Sequence, residues 1–342
     1  MNVLDSVWMP QEKKDLIIKE IILTADFETA YYTMCKYITC RSLQPLHASI
    51  IGNVSNNRAS MDLAPRGFGK STVGDVDFCI TKIIREPNVR IMIGSKTQTQ
   101  AEAFLKEVRT HFEQNVNLIR IFGDWKKSRD NVWNDKEFTV NRRTIIKKEA
   151  TLTALGASGA VVSKHFDVII GDDLVGFENA RTEAQRKKLK EWFYSSLFPT
   201  LEPDGEIHIL GTRYSPMDLY EDLIRSKNYK INIQQAITVK DNAEYSLWEA
   251  KFSLEKLRQI REESGLIIFN MQYQNNTELA KGKIFKYKYF KNFEEYEVDY
   301  DLSRVRVKVL DANNVPYWIP VRIYMGADLA ISEDETSNND YF

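Results

Sequence analysis

The chain has 342 residues, 43% of them hydrophobic and 28% charged, and its Lys plus Arg (47) nearly cancel its Asp plus Glu (48). This composition excludes disordered, collagenous and coiled-coil classes, allows two domains, and buries enough apolar surface to need no disulfide or metal staple. A formal net charge of −1 leaves no whole-chain electrostatic footprint for nucleic acid, so any contact with DNA has to be local.

Cys35, Cys40 and Cys79 form no even framework and no C-x-x-C pair, which fits a reducing compartment, with Cys35 and Cys40 read as small buried hydrophobes. His47, His111, His165 and His208 have no ligand spacing, so no zinc site is expected. No apolar run reaches the length of a membrane span, and the N-terminal M-N-V-L-D-S-V-W-M-P lacks the apolar core of a signal peptide. The expectation is a soluble intracellular protein.

Residues 12–40 carry Leu16, Ile17, Ile21 and Ile22 at helical spacing and then Phe27, Tyr31 and Tyr32, which predicts a helical lead-in. A strand over 58–63 runs into A-P-R-G-F-G-K-S-T and a helix through 84. A second strand, V-R-I-M-I-G-S, precedes a helix over 99–114 with Ala103, Phe104, Val108 and Phe112 on one face. Extended structure is expected over 144–155, a strand over 166–171 ending in two aspartates, a helix over 180–197 and a strand over 206–212. Strands alternating with helices, several of them continuous apolar runs, specify an α/β domain with a mainly parallel sheet and flanking helices. After about residue 235 come a helix over 254–263, F-N-M-Q-Y-Q-N-N, a basic and aromatic stretch over 281–291, a linker or small β element over 291–318, and a last strand, V-R-I-Y-M-G-A-D.

A-P-R-G-F-G-K-S-T at 64–72 matches the phosphate-binding pattern G-x-x-x-x-G-K-[ST] except that Ala64 takes the first glycine position. Gly67, Phe68 and Gly69 would turn backbone N–H groups toward anionic oxygens, and Lys70 would reach the β- and γ-phosphates of ATP. Ser71 would hold Mg²⁺, and Thr72 begins the helix. Arg66 is either a guanidinium stabilising transition-state charge in cis or a salt-bridged surface residue. In F-D-V-I-I-G-D-D, a hydrophobic strand delivers Asp172, to hold Mg²⁺, and Asp173, to orient and deprotonate the attacking water. Lys70 and the tandem acids are expected to meet across adjacent strand tips. In G-T-R-Y-S-P, Thr212 either senses the γ-phosphate or only ends a strand, and Arg213 contacts phosphate or an acidic neighbour. The basic run R-K-K-L-K at 186–190 is a solvated helix face or a DNA-backbone contact, and the stretch over 281–291 is an edge strand or a stacking surface.

These pieces, in order, resemble the large subunit of a tailed-bacteriophage terminase. The resemblance rests on Q-P-L-H at 44–47, A-P-R-G-F-G-K-S-T, N-V-W-N at 131–134, and L-G-A-S-G-A-V-V-S-K-H-F-D-V-I-I-G-D-D at 155–173. It continues with G-T-R-Y-S-P-M-D-L-Y at 211–220, F-N-M-Q-Y-Q at 269–274 and G-A-D-L-A at 326–330. It implies a P-loop ATPase domain of the ASCE type over 1–275, a linker over 276–318, and the start of an RNase H-like nuclease domain over 319–342. It further implies Arg66, Lys70, Asp173 and Thr212 as catalytic residues, with Ser71 and Asp172 on Mg²⁺. Asp328, in G-A-D-L-A, matches the first acid of a two-metal nuclease site and Asp340 a later one; the family's remaining acids would follow, so that site is expected to be incomplete. Where some members carry a trans-acting arginine finger, this chain has Lys164, which cannot make the bidentate contact. The implied partners are double-stranded DNA, a small terminase subunit, the procapsid portal in the host cytoplasm and further copies in a ring. A helicase-like remodelling ATPase and a non-catalytic nucleotide-binding assembly subunit are the competing readings.

Overall fold

The computed structural model describes residues 8–126, 132–157, 159, 164–279, 295–299, 304–310 and 315–321. The chain divides into two compact units, Met1–Gly282 and Lys283–Phe342.

The first unit opens on helices α1 (Gln11–Thr24), α2 (Phe27–Thr33) and α3 (Pro45–Asn56). The lead-in is helical, but its buried residues in α1 are Ile18 and Ile22, and Leu16 is 68% exposed. The α3 helix is not among the elements expected from sequence, although Pro45 at its start and buried Leu46, Ile50, Ile51 and Val54 supply its signal. Strand β1 (Ala59–Leu63) leads through the glycine loop into a π-helical turn, Thr72–Asp77, and helix α4 (Phe78–Arg85). The wider turn frees carbonyls, and the buried Tyr31 hydroxyl donates to that of Val73.

Strand β2 (Ile91–Ser95) is followed by α5 (Gln98–Gln114), capped by the Thr97 side chain accepting from the Gln100 N–H. Its buried stripe is Ala101, Leu105, Val108 and Phe112; Ala103 is exposed, so the apolar face is rotated from the one expected. Then come α6 (Val116–Phe122), the short β3 (Glu137–Phe138), β4 (Leu152–Gly156) and β5 (Phe166–Asp172). Only the end of the 144–155 stretch is a strand; the rest is a loop. Helices α7 (Phe177–Ala180) and α8 (Glu183–Trp192) precede β6 (Leu201–Gly211), α9 (Leu219–Ser226) and β7 (Lys230–Ile233).

The sheet order is β3-β4-β2-β5-β6-β1-β7, with every pair parallel except β3–β4 at the edge. This is the expected α/β architecture with a mainly parallel sheet. Both faces are covered: Ile91, Ile93, Val168 and Ile170 join one core with α4 and α5, and Met92, Ile169, Ile207 and Ile209 join the other with α8 and α9. That explains the near-continuous apolar strands. The loop-bearing β1 and the acid-bearing β5 are not the adjacent strands expected from sequence, because β6 lies between them and pairs with both.

The unit closes with a hairpin, β8 (Ile237–Lys240) and β9 (Ala243–Ser246), and helices α10 (Leu254–Ser264) and α11 (Leu266–Gln272). The second unit contains an antiparallel sheet of β10 (Glu295–Asp299), β11 (Arg304–Leu310) and β12 (Pro316–Val321). The basic stretch over 281–291, and the last expected strand beyond Val321 with Asp328 and Asp340, lie outside the described residues. Cys35 and Cys79 are buried, whereas Cys40 is exposed in a left-handed conformation (φ 55°), not buried as expected. Among the described residues, no helix is long and apolar enough to cross a membrane.

Candidate nucleotide site

Gly67 (φ +81°) and Gly69 (φ +76°) give the loop two left-handed turns that residues with a Cβ rarely adopt. A Cβ on Gly67 would stand 3.2 Å from Phe252, and one on Gly69 3.0 Å from His47 Nε2. The loop is held from several sides. The Ala64 N–H donates to the Gly211 carbonyl (3.2 Å), so the alanine in the first glycine position is anchored on β6. The Arg66 N–H donates to the Gln272 carbonyl (3.0 Å), and Arg66 Nη1 to Gln272 Oε1 (3.2 Å), while Lys251 Nζ donates to the Gly67 carbonyl (2.7 Å). The Phe68 ring is buried and stacked on Phe252 (centroids 4.6 Å apart, planes at 8°).

His47, one of four histidines that look scattered in the sequence, supports the loop directly. Its Nδ1 accepts from the Gln44 N–H (3.0 Å), which leaves Nε2–H to donate to the Phe68 carbonyl (2.9 Å). Burial lowers its pKa against the effect of that hydrogen bond, which favours the neutral ring this pairing requires.

Lys70 follows the loop, and its Nζ lies 3.1 Å from Asp173 Oδ2; the Ser71 hydroxyl donates to Asp172 Oδ1 at 3.0 Å. These two contacts join the loop to the acidic strand end across the tip of β6. Thr72 starts the π-helical turn. Burial acts to lower the Lys70 pKa, but the charges of Asp173 and Asp172 outweigh it and leave the ammonium's pKa raised. Burial and the Asp173 charge push Asp172 up to about 7. Asp173 adopts φ 44°, a left-handed conformation that Asp tolerates better than most residues, and its N–H donates to the Leu210 carbonyl (2.9 Å).

A third carboxyl, missed in the sequence, lies beneath them. Asp75 in the π-helical turn is fully buried, and burial followed by the Asp172 charge pushes its pKa well above the usual carboxylate range. Asp172 Oδ2, Asp173 Oδ1 and both Asp75 oxygens are buried without a hydrogen-bond partner. Unpartnered carboxylate oxygens beside a serine hydroxyl are a hard oxygen donor set that fits Mg²⁺, with Ser71 and Asp172 as its protein ligands.

The Thr212 hydroxyl donates to the Ala64 carbonyl at 3.4 Å, so this residue touches the root of the loop. Arg213 contacts acidic neighbours: Nη2 is 2.9 Å from Oε2 of the half-buried Glu221, and Nε 3.4 Å from Oδ2 of the buried Asp218. Lys164 precedes β5, at the opposite end of that strand from the acids, and pairs with Glu137 at 3.4 Å. Trp248 lies edge-on to both His47 and Phe68, at 5.1 and 6.3 Å. Like Lys251 and Phe252, it carries no recognisable motif.

The large terminase subunit of Enterobacteria phage T3 is 26% identical over 199 residues, a stretch that makes up 56% of this chain and 31% of that protein. The likeness to terminase large subunits carried by the motifs is thus met by a relative of that kind, over less than a third of the relative's length. Among solved structures, a point mutant of the Thermus phage P74-26 large terminase ATPase domain aligns with a TM-score of 0.48 and 13% identity, covering 70% of this chain and 96% of that one. The large terminase of a thermophilic bacteriophage, in complex with ADP, aligns with a TM-score of 0.40 and 10% identity, covering 84% of this chain and 67% of that one. No protein-family model matches the chain.

Proposed function

We propose that this chain is an ATP-hydrolysing motor subunit of the terminase type, which drives double-stranded DNA into a phage procapsid. The observation that carries this reading is the pair of contacts Lys70–Asp173 and Ser71–Asp172, which bring a phosphate-binding loop and two strand-end acids into one site.

In this reading the N–H groups of Gly67, Phe68, Gly69, Lys70, Ser71 and Thr72 cradle the phosphates. Lys70, held beside the loop by Asp173, supplies the cation for their β- and γ-oxygens. Ser71 and Asp172 hold Mg²⁺, which when bound supplies further positive charge to the same oxygens. Asp173 orients the attacking water and takes its proton, and its unpartnered Oδ1 is available for that bond. Arg66 stabilises transition-state charge in cis, on a loop steadied by Gln272. Thr212, hydrogen-bonded to the loop root, reports loss of the γ-phosphate. By the same resemblance, Asp328 and Asp340 would supply two of the several acids of an associated two-metal nuclease site, which this chain carries only in part. The partners are DNA, a small subunit, a portal and further copies of the chain in a ring.

The test is ATP turnover with and without duplex DNA for the wild type, Lys70→Ala and Asp173→Asn. Loss of the base is expected to lower turnover by roughly 10²–10⁴-fold, with nucleotide still bound by Asp173→Asn. Equal turnover by all three proteins would refute the assignment. Nucleotide binding without turnover in the wild type would replace the motor with an assembly subunit.

A further inference from the structure

A peptide unit is planar and trans, so its carbonyl and the N–H that follows point in opposite directions. Fixing a loop carbonyl from outside therefore turns the next N–H inward. Two successive carbonyls of the glycine loop are held in this way by side chains from elsewhere in the chain. Lys251 Nζ donates to the Gly67 carbonyl at 2.7 Å, and His47 Nε2 to that of Phe68 at 2.9 Å. The first contact sets the Phe68 N–H, which closes the loop's own turn on the Pro65 carbonyl at 3.3 Å, a bond long enough to share with a phosphate oxygen. The second sets the Gly69 N–H, which has no partner among the described residues.

Both anchors are themselves fixed, and a shared wall of rings joins them. His47 is 3% exposed, and the Gln44 N–H on its Nδ1 (3.0 Å) sets the tautomer. Lys251 is exposed, but its Nζ stands 4.8 Å from the Trp248 ring centroid and 5.6 Å from that of Phe252, which keeps the ammonium over the loop. Phe252 is stacked on Phe68, and Trp248 is edge-on to His47 with the planes at 88°. The N–H groups of Lys251 and Phe252 both donate to the Trp248 carbonyl (3.1 and 2.8 Å) and close the turn that carries all three residues. A loop that needed only stability could be held at any of its atoms. Here the two contacts fall on successive carbonyls, and a donor on a carbonyl polarises its peptide unit, which strengthens the N–H at the other end.

We propose that Lys251 and His47 are positioning residues for phosphate binding, which set the N–H groups of Phe68 and Gly69 toward the phosphate oxygens of the nucleotide. This role rests on the ATP-site reading above and extends the site to two segments outside its motor motifs, the start of α3 and the turn before α10. It also accounts for Gly69 beyond its positive φ, because a Cβ there would stand 3.0 Å from the His47 nitrogen that makes the bond.

The test measures, with the full chain, the Kd of a fluorescent ATP analogue and that of inorganic pyrophosphate competing with it. Lys251→Met keeps an apolar stem over the rings but has no donor, and His47→Ala removes donor and ring together. Each is expected to weaken both ligands roughly tenfold, as for one hydrogen bond to a charged group. His47→Gln, whose amide nitrogen is a donor for the same carbonyl, is expected to stay within about twofold of the wild type. Because Lys251 is exposed, its variant is expected to fold and decides the outcome even where His47→Ala does not. Wild-type affinity for both ligands in Lys251→Met and His47→Ala would overturn the proposal while leaving the motor reading intact. A loss as large in His47→Gln as in His47→Ala would likewise overturn it, in favour of a packing role for the ring. A wild type that binds neither ligand would end both.

Discussion

Asp62 sits in the strand that feeds the loop, and it makes the stability of that strand depend on pH. Its carboxyl is 1% exposed, accepting from Asn53 Nδ2 at 3.0 Å and Asn232 Nδ2 at 2.7 Å. Burial outweighs those two amides and raises the pKa from 3.8 to about 7. The folded chain therefore binds the proton more tightly than the unfolded one, and stability is lost as pH climbs from the unfolded value through the folded one. At about 1.4 kcal/mol per pH unit, that gap amounts to about 4 kcal/mol, an upper value because relaxation and water entry reduce the penalty. Asp62→Asn removes the titration; it costs about 1 kcal/mol at pH 4, where one of the two asparagines has to turn its amide to find a partner. Urea unfolding of both proteins from pH 4 to 8 is the assay. The variant is expected to gain on the wild type steadily up to about pH 7 and to hold a constant advantage above it. Since Asp172 titrates in both proteins, the difference isolates Asp62. A difference that does not change with pH would refute the reasoning.

Two further predictions concern the end of β6. A Cβ at Gly211 would fall 2.4 Å from the Tyr220 hydroxyl and ring, so Gly211→Ala is expected to lower stability by about 1–3 kcal/mol in thermal or urea unfolding; wild-type stability would show that Tyr220 yields freely. Arg213→Ala leaves buried Asp218 without its cation, while Glu221 keeps Arg225 at 3.1 Å, and is expected to cost about 3–5 kcal/mol, measured the same way at neutral pH. A small loss there would mean that Arg213 is held by nothing essential and is available for phosphate.

The loop and the acids were legible because each is written in a short stretch: a strand followed by glycines, Lys70 and Ser71, and an apolar strand followed by two aspartates. Their meeting could be expected from that pattern, but not the strand between them. Pairing of β6 with both β1 and β5 joins residues far apart in the chain, and nothing local records it. Asp75 was invisible for the same reason. It reads as one polar residue of a helix until β5 brings Asp172 against it. In α5 the period was right but the phase was not, because Phe104 and Leu105 compete for the core and one residue turns a helix by roughly 100°; the sheet took Leu105. Trp248, Lys251 and Phe252 act on the loop from a segment that carries no motif of its own, and Q-P-L-H, which holds His47, does not by itself show that the ring reaches the Phe68 carbonyl. The exposure of Ile146, in the loop between β3 and β4, could not be read at all, since a run of two isoleucines ordinarily predicts burial.

The inserted strand also decides how the two halves of the site are joined. The end of β6 accepts from both sides: the Gly211 carbonyl takes the Ala64 N–H, and the Leu210 carbonyl takes the Asp173 N–H. The Thr212 hydroxyl returns a hydrogen bond to the Ala64 carbonyl. Tyr220, packed where Gly211 has no side chain, places its hydroxyl 3.4 Å from both the Leu210 carbonyl and the Val175 N–H beyond the acids. Loop root, acidic turn and β6 tip therefore share one hydrogen-bonded unit. Asp173 is held in it at φ 44°, so a change in its Lys70 contact falls on a residue whose own N–H is bonded to the Leu210 carbonyl. In the proposed motor, exchange of Asp173 for phosphate at Lys70 is that change. The strand that separates the two motifs is then also the element through which one feels the other.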